Sequence, residues 1–278
     1  MKKYSLKEIA KNINGNLYGN DLFVSKFSID SRNINNGDVF ICLKGKNYDG
    51  HNFIEDSLLS ASCIISSKNI RNIDLKKKSY IKVDDTLKAL QDLSLYVRQQ
   101  SKAKFIAITG SNGKTTVKEM VAHILSDYNV TYTKGNFNNH IGVPITLLSL
   151  NNDEDFVVIE AGANKLGEID ILAKLIQPDV AAVTNIGYAH IEGFGNLENT
   201  AKEKYSLFNS VKKDGVIAVV NQDKYHKKII SKSKKIYFGN CENLLSKVKR
   251  IIKNLFYKTN FLYIKKINNN TMELKYLK

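Results

Sequence analysis

The segment that most constrains this chain is a glycine-containing loop between an apolar run and an amphipathic stretch. Over residues 105–125 the sequence is FIAITGSNGKTTVKEMVAHIL. The general phosphate-binding loop is G-x-x-x-x-G-K-[ST]; residues 113–115 match its end, whereas Ile108 stands where the first glycine belongs. Gly110 and Gly113 still allow a tight turn whose N–H groups face a phosphate, and the following helix places its N-terminus there. The segment therefore predicts a strand, a nucleotide-phosphate loop and a helix.

Two side chains at the end of this loop carry the chemistry that a nucleotide requires. Lys114 supplies a positive charge for the β- and γ-phosphate oxygens, and the Thr115 hydroxyl can ligate Mg²⁺. A glycine turn without a nucleotide is the competing interpretation, and the complete set of strand, GKTT and helix disfavours it. The loop residues predicted to contact the nucleotide are Thr109, Gly110, Ser111, Asn112, Gly113, Lys114, Thr115 and Thr116.

The rest of the chain alternates strand and helix patterns, which predicts an α/β fold. Apolar runs such as FVVIE and VAAVTNI are typical of strands buried on both faces, as in a parallel sheet covered by helices. The patterns predict a small α/β domain over 1–83, a connector helix over 84–104 and a mostly parallel, P-loop-type sheet domain over 105–278. In the last region ENLLSKVKRIIKNLF predicts a basic amphipathic helix, and FLYIKKINNNTMELKYLK predicts a hairpin.

The formal net charge of +15 raises the question of a nucleic-acid partner. Residues 224–278 hold 15 lysines and arginines against two acids, whereas the preceding 223 residues hold 27 basic and 25 acidic residues, a net of +2. The basic character therefore belongs to one tail, which could contact RNA or another anionic surface. A compositional bias toward Lys, Asn and Ile explains the same tail without a ligand, so nucleic acid is not an expected partner.

The sequence also bears on the compartment. It contains no run of about 18 apolar residues, so no membrane span is predicted. The start, MKKYSLKEIAKNI, lacks the apolar core of a secretory signal. Cys42, Cys63 and Cys241 show no metal-ligand spacing and are expected to be ordinary thiols in a reducing cytosol. A cytoplasmic protein is therefore expected.

Several further segments match the motifs of a known family. Together with T-G-S-N-G-K-T-T, the segments GNFNNHIGVPITLL, VVIEAGANKLGEI and TNIGYAHIEGFGNLENTAKEKYSLF resemble the Mur ligase family, whose members build the peptide stem of bacterial peptidoglycan. The segment SIDSRNINNGDVFICLKGKNYDGHNFI resembles the family's UDP-sugar domain. Folylpolyglutamate synthetases share the loop type, but the UDP-domain pattern and the E-x-G-A-N segment favour a Mur ligase.

The resemblance implies which residues bind the substrate. Ser31 and Arg32 are expected to contact uridine and diphosphate, since arginine suits bidentate phosphate recognition. Asn136, Asn138 and Asn139 offer amide donors and acceptors to sugar, carboxylate or phosphate oxygens. A polar turn without a ligand is the alternative for the asparagine run.

The remaining residues of the expected ATP site follow two apolar strands. Glu160 ends a buried strand at the edge of a parallel sheet where ligands collect, and a lone carboxylate there suits Mg²⁺. With Thr115 it is expected to hold a first ion. The segment GVIAVVNQD resembles the family's N-x-D-D element, so Asn221 is expected to pair with adenine and Asp223 to take a ribose hydroxyl.

A second Mg²⁺ ion is also implied by the resemblance. Its expected ligands are His190 and a helix lysine that CO₂ converts to a carbamate. Alignment of the family's A-K-x-E-I-F with EKYSLF selects Lys204. Lys202 is the competitor, because Glu203 and Ser206 depart from the family pattern. Without the resemblance, both lysines would be expected on a solvated helix surface.

The resemblance implies an ATP-driven amide synthesis that joins D-Ala-D-Ala to UDP-MurNAc-tripeptide through an acyl phosphate, with Lys114, His190 and Lys204 as catalytic residues. The GNFNNHIG loop favours this activity over addition of the third stem residue. The family's third domain and its G-x-H-x-x-x-N-A segment are not found, so an incomplete central domain is expected. A non-catalytic nucleotide- or UDP-sugar-binding remnant, and half of a split enzyme that needs a separate C-terminal domain, remain alternatives.

Overall fold

The computed structural model describes residues 2–71, 73–220, 225, 229 and 233–238, together with the strands 262–268 and 271–276.

The first part of the chain forms a mixed sheet. Its elements are β1 (Tyr4–Ser5), α1 (Leu6–Asn12), β2 (Asn16–Tyr18), β3 (Phe23–Val24), β4 (Lys26–Ser28), β5 (Asp38–Ile41), α2 (Ile54–Ser60), β6 (Cys63–Ser66) and β7 (Ser79–Lys82), with 3-10 turns at Ser31–Asn33 and Gly50–Phe53. Five strands lie in the order β2-β7-β6-β5-β4; β2 runs antiparallel to β7, and the other neighbours are parallel. Alternate residues of β5 face two cores, Val39 and Ile41 one and Phe40 the other, so this strand is buried on both sides.

The second part forms a six-stranded sheet. Its elements are β8 (Lys104–Thr109), α4 (Lys114–Ile124), β9 (Val130–Tyr132), α5 (Gly142–Leu148), β10 (Phe156–Glu160), α6 (Glu168–Ile176), β11 (Val180–Val183), α7 (Ile191–Phe194), α8 (Leu197–Tyr205), a 3-10 turn (Ser206–Ser210), β12 (Val216–Val220) and β13 (Lys234–Phe238). The six strands are parallel, in the order β13-β12-β11-β8-β10-β9. Phe105 and Ala107 pack on the face covered by α5 and α6, and Ile106 and Ile108 pack on the α4 face. The predicted parallel sheet with helices on both sides is therefore confirmed.

The order of these strands places the site. Strands β10 and β11 flank β8, so the segments that follow all three emerge side by side at the carboxyl edge of the sheet. The glycine loop, Glu160 and the TNIG run after β11 are consequently neighbours.

The predicted hairpin near the end of the chain is confirmed, because β14 (Leu262–Asn268) and β15 (Thr271–Tyr276) pair in antiparallel fashion. The segment predicted as a basic amphipathic helix lies outside the described residues. Within the part of the chain that the structure describes, no helix has the length and apolar character needed to cross a membrane.

Helix α3 (Thr86–Gln100) connects the two sheets and packs against both. Asp85 caps its first turn. Leu90 and Leu93 lie in the core of the first part, and that core also includes Leu148 of α5. The connector therefore belongs to a core that both halves share.

Arg98, in the last turn of α3, fixes this connector to the second sheet. Its Nε donates to the Ile176 carbonyl at 2.6 Å and its Nη2 to the Gln177 carbonyl at 2.8 Å. The guanidinium lies 3.5 Å from the centre of the Phe105 ring and 3.9 Å from Asp179. Burial lowers the pKa of Arg98 to about 10, an effect that Asp179 opposes, so the side chain is charged at neutral pH.

We expect Arg98→Ala to lower the free energy of unfolding by about 3 kcal/mol, because it leaves two carbonyls at the end of α6 without their donor and removes the cation that packs on the Phe105 ring beside Asp179. Lys104→Ala is the matched control, since Lys104 reaches the same Asp179 at 3.3 Å from a largely exposed position. Its loss should cost about 0.5 kcal/mol. Urea unfolding measures both values, and equal losses would show that Arg98 contributes no more than a surface ion pair.

Candidate active site

The loop between β8 and α4 has the conformation that its glycines permit. Gly110 has a φ of 149° and Gly113 a φ of 75°. A Cβ at position 110 would overlap Thr184 Oγ1, whereas one at position 113 would meet no atom within 4 Å. Lys114 begins α4, and its Nζ donates to the carbonyls of Gly110 at 2.9 Å and Ser111 at 3.2 Å. The ammonium group therefore lies directly over the loop.

Residues after β11 hold this loop, a role that the sequence did not reveal. The N–H of Ser111 donates to the Asn185 carbonyl at 3.1 Å, and the N–H of Asn112 donates to Asn185 Oδ1 at 2.9 Å. Thr184 Oγ1 donates to the Asn112 carbonyl at 2.6 Å, and the Gly187 N–H donates to Ser111 Oγ at 2.8 Å. The only signal in the sequence was the polar TNIG run directly after an apolar strand.

Glu160 is the centre of the site. It is 2% exposed, and its two carboxylate oxygens accept hydrogen bonds from Thr115 Oγ1 and Asn138 Nδ2, both at 2.8 Å. Burial lowers the pKa of Lys114, and the Glu160 carboxylate opposes that decrease. The structure thus brings together the hydroxyl and the carboxylate that were expected at the first ion, with the loop cation nearby.

The three asparagines of the GNFNNHIG run are placed differently. Asn138 bonds Glu160, as described. Asn139 Oδ1 accepts from the N–H groups of Ile141 at 3.0 Å and Gly142 at 2.9 Å, which satisfies two donors at the start of α5. Asn136 is exposed on the loop. Two of the three predicted substrate residues therefore also maintain the loop itself.

Burial distinguishes the two candidate lysines of α8. Lys204 is 1% exposed, and its Nζ lies 5.0 Å from the centre of the Phe194 ring, whereas Lys202 is exposed. Burial and the positive charge of Lys114 lower the pKa of Lys204 to about 8, although nearby carboxylates oppose the decrease. A larger fraction of this amine is neutral near pH 8 than of an ordinary lysine.

His190 lies in the loop after β11 and is exposed. Its φ of 55° is uncommon for a residue with a side chain, and such strain is concentrated at functional sites. Its ring packs edge-on against Phe194 with centroids 6.2 Å apart. Phe194 therefore contacts both expected ligands of the second ion, His190 and Lys204. His190 also lines a cavity of about 530 Å³, together with Asn164, Tyr188, Glu192 and Gly193.

Glu203 has a structural role that the sequence did not reveal. It is buried, and its carboxylate accepts from the N–H groups of Gly167 at 2.6 Å and Ile169 at 2.7 Å. These are orphan donors at the N-terminus of α6. Glu203, which departs from the family pattern, therefore connects α8 to α6 next to Lys204.

In the first part of the chain, Ser31 and Arg32 lie in a 3-10 turn capped by Asp30. Arg32 donates from Nε and Nη2 to the two Asp30 oxygens, both at 2.8 Å, while 85% of its side chain is exposed. These hydrogen bonds lower the pKa of Asp30 to about 2. The pair orients the guanidinium without burying it.

The remaining residues predicted to bind the nucleotide lie at both ends of the glycine loop and, in the sequence, just after β12. Thr109 is buried at the end of β8, and its hydroxyl has no partner among the described residues. Thr116 is exposed in the first turn of α4. Asn221 and Asp223 lie outside the described residues.

Both parts of the chain match models of one family. The Mur ligase middle domain matches residues 108–276, and the Mur ligase family catalytic domain matches residues 24–98. The chain therefore belongs to the Mur ligase family.

Its similarity within the family is to UDP-N-acetylmuramoyl-tripeptide–D-alanyl-D-alanine ligases. Identity is 41% to that of Buchnera aphidicola subsp. Acyrthosiphon pisum (86% of this chain, 53% of the relative) and 41% to that of Escherichia coli (80% and 49%). The crystal structure of MurF from Acinetobacter baumannii matches with a TM-score of 0.80 at 33% identity, over 86% of this chain and 54% of that one. The crystal structure of MurF ligase from Thermotoga maritima in complex with ADP matches with a TM-score of 0.71 at 30% identity, over 78% of this chain and 50% of that one. The chain spans about half the length of the curated relatives it matches.

The two loop glycines allow a matched test of the loop geometry. Gly113→Ala should cost about 1 kcal/mol of unfolding free energy, because the left-handed backbone is strained but the space is open. Gly110→Ala should cost about 3 kcal/mol, because the added methyl also overlaps Thr184. Thermal unfolding of both variants checks this order, and a larger loss for Gly113→Ala would contradict the loop conformation.

Proposed function

We propose that this chain carries the UDP-sugar-binding and ATP-binding parts of a ligase that joins D-Ala-D-Ala to UDP-MurNAc-tripeptide. The observation that carries the proposal is the 2.8 Å bond between Thr115 and Glu160 beside Lys114, at the carboxyl edge of a parallel sheet. A hydroxyl, a carboxylate and a cation are the groups that a Mg²⁺-bound phosphate chain requires. The similar ligases of Buchnera and E. coli are named for these substrates.

Each of the two sheets is assigned one of the two nucleotide ligands. Residues 1–83 bind the UDP-sugar, with Ser31 and Arg32 at uridine and diphosphate. Residues 105–278 bind ATP, and residues 84–104 connect the two parts. The exposed and oriented Arg32 guanidinium supports the first assignment, since it can meet a diphosphate without rearranging a core. Asn221 and Asp223 complete the ATP site at adenine and ribose.

The reaction has two steps, and both require charge control. The tripeptide carboxylate attacks the γ-phosphorus of ATP, which breaks the bond to ADP and gives an acyl phosphate, and the amine of D-Ala-D-Ala then displaces phosphate through a tetrahedral intermediate. Both partners of the first step are anionic, so the site must neutralise charge and hold them in line. Lys114 supplies the cation, and Asn136, Asn138 and Asn139 offer amides to the incoming substrate.

The side chains fit Mg²⁺ held partly by phosphate oxygens. Among the described residues no group of three or more His, Cys, Asp or Glu side chains could hold a metal alone. Mg²⁺ typically takes only one or two carboxylates together with phosphates. Thr115 and Glu160 would hold a first ion, and His190 with carbamylated Lys204 a second. When bound, the ions neutralise phosphate charge.

Phosphate release tests the proposed function. The assay contains ATP, UDP-MurNAc-tripeptide and D-Ala-D-Ala, with this chain alone and with a separately supplied C-terminal domain of the E. coli ligase. Release that requires all three substrates, in either sample, is the expected result. Binding of ATP and UDP-sugar with no turnover in either sample would favour the non-catalytic alternative. A chain that binds neither would overturn the proposal.

Lys114→Ala should weaken ATP binding in the presence of Mg²⁺ by roughly 2 to 4 kcal/mol, because it removes the loop cation from a partly desolvated pair with phosphate. Isothermal calorimetry measures the affinity. Lys174→Ala is the control, since Lys174 is exposed and pairs with Asp170 on α6. An affinity of the Lys114 variant within about threefold of wild type would refute the loop assignment.

Lys204→Ala should abolish turnover in the complemented assay, and added acetate should restore part of it, because a free carboxylate can replace the carbamate oxygens. Lys202→Ala should remain close to wild type, since that side chain is exposed. With ¹³CO₂, a carbamate NMR signal from Lys204 should grow as the pH rises through about 8, because only the neutral amine reacts. If Lys202→Ala is inactive and rescued by acetate while Lys204→Ala is active, the carbamate belongs to Lys202. If both variants are fully active, the carbamate hypothesis is rejected.

A further inference from the structure

Lys118 is a charged residue that the proposed reaction leaves unused, and it is completely buried. It lies on α4 one turn after Lys114. Its Nζ donates to the Thr133 carbonyl at 2.8 Å, lies 2.6 Å from Glu119 Oε1 and stands 5.5 Å from the centre of the Tyr132 ring. The ammonium thus joins α4 to the end of β9.

Packing alone does not account for an ammonium at this position. A buried charge carries a desolvation cost of several kcal/mol, and an apolar side chain of similar volume often stabilises a core as well or better. Methionine has a comparable length and would fill the same space. The charge is therefore best explained by what it holds, which is the Thr133 carbonyl.

Thr133 in turn holds the backbone of Glu160. Its N–H donates to the Val158 carbonyl at 3.0 Å, which extends the pairing between β9 and β10 by one residue. Its Oγ1 then accepts the N–H of Glu160 at 3.1 Å. A side-chain hydroxyl therefore fixes the residue whose carboxylate forms the centre of the site.

We propose that Lys118 is a positioning residue for the Glu160 carboxylate. The contacts form a closed ring that starts and ends on α4: Lys118 holds Thr133, Thr133 holds Glu160, and Glu160 accepts from Thr115, three residues before Lys118. The ring sets the distance between the Thr115 hydroxyl and the carboxylate, which is the geometry that an ion at this site requires. The metal-binding part of this proposal rests on the proposed function.

Two measurements on Lys118→Met and Thr133→Val test the ring. Amide exchange at Glu160, followed by NMR on the ligand-free chain, should become at least about tenfold faster in both variants. The affinity for Mn²⁺ in the presence of ADP, measured by electron paramagnetic resonance, should fall by about 10- to 100-fold, as is typical when a residue behind a metal ligand is lost. The affinity for ADP without metal should stay within about twofold.

Matched variants separate positioning from general stability. Thr133→Ser keeps the hydroxyl and should behave like wild type. Glu119→Gln removes the ion pair but leaves the bond from Lys118 to Thr133, so Mn²⁺ affinity should be almost unchanged. The double variant Lys118→Met/Thr133→Val should lose no more affinity than the stronger single variant, because both interrupt one ring.

An unchanged Glu160 exchange rate in Lys118→Met would overturn the proposal, as would an unchanged Mn²⁺ affinity. If Lys118→Met does not fold, Thr133→Val, which interrupts the same ring at the hydroxyl, gives the same two readouts. A wild-type chain that binds no Mn²⁺ with ADP would instead overturn the proposed function. The exchange rate at Glu160 would then decide by itself whether Lys118 positions that residue.

Discussion

The contact of Arg98 with the end of α6 and with Asp179 fixes how the two sheets are joined. Asp179 also accepts the N–H of Phe105 at 3.0 Å and donates its own N–H to the Phe105 carbonyl at 2.9 Å. The N–H of Val216 donates to the Asp179 carbonyl at 2.9 Å. The hydrogen bonds of Asp179 thus set where β8, β11 and β12 begin. Since the strands are parallel and in fixed register, it also determines which residues meet at their carboxyl ends.

At those carboxyl ends, uncharged polar groups hold the charged Glu160 side chain and the loop before Lys114 in place. Glu160 accepts from a hydroxyl and an amide, and the loop before Lys114 is bonded to Asn185 rather than to solvent. Fixed dipoles of this kind cost no reorganisation when a phosphate or a metal arrives. The Lys204 amine lies over the ring of Phe194, and burial together with the positive charge of Lys114 lowers its pKa. These surroundings raise the neutral fraction of the amine, as the proposed carbamate requires.

Much of this site could be predicted from the sequence, because its main signals are local. The strand, loop and helix around Gly113 follow from residues that are consecutive in the chain. The meeting of Thr115 and Glu160 follows from one topological rule, that parallel strands deliver their carboxyl ends to one edge. Lys204 and Lys202 differ in burial, which depends on what covers α8, and the family pattern selects the buried one; its role stays a prediction.

The residues that the sequence did not reveal act on distant partners. Glu203 caps a helix that begins 35 positions earlier, and Asn185 bonds a loop 73 positions away. Lys118 stands between Val117 and Glu119, a pattern that is ordinary for a surface position of a helix, and only its burial sets it apart. No local pattern distinguishes such residues from solvated ones. The domain limits at residues 83 and 104 stay predictions for a related reason, because α3 contributes side chains to the cores on both sides.

That shared helix has a practical consequence for anyone who wishes to dissect the chain. A cut before α3 would strip Leu90 and Leu93 from the first core, and a cut after it would remove Arg98 from the end of α6. Either fragment would expose an apolar surface that is covered in the intact chain, and such surfaces promote aggregation. Fragments intended for separate expression should therefore both retain α3, so that residues 86–100 are present twice when the two halves are combined.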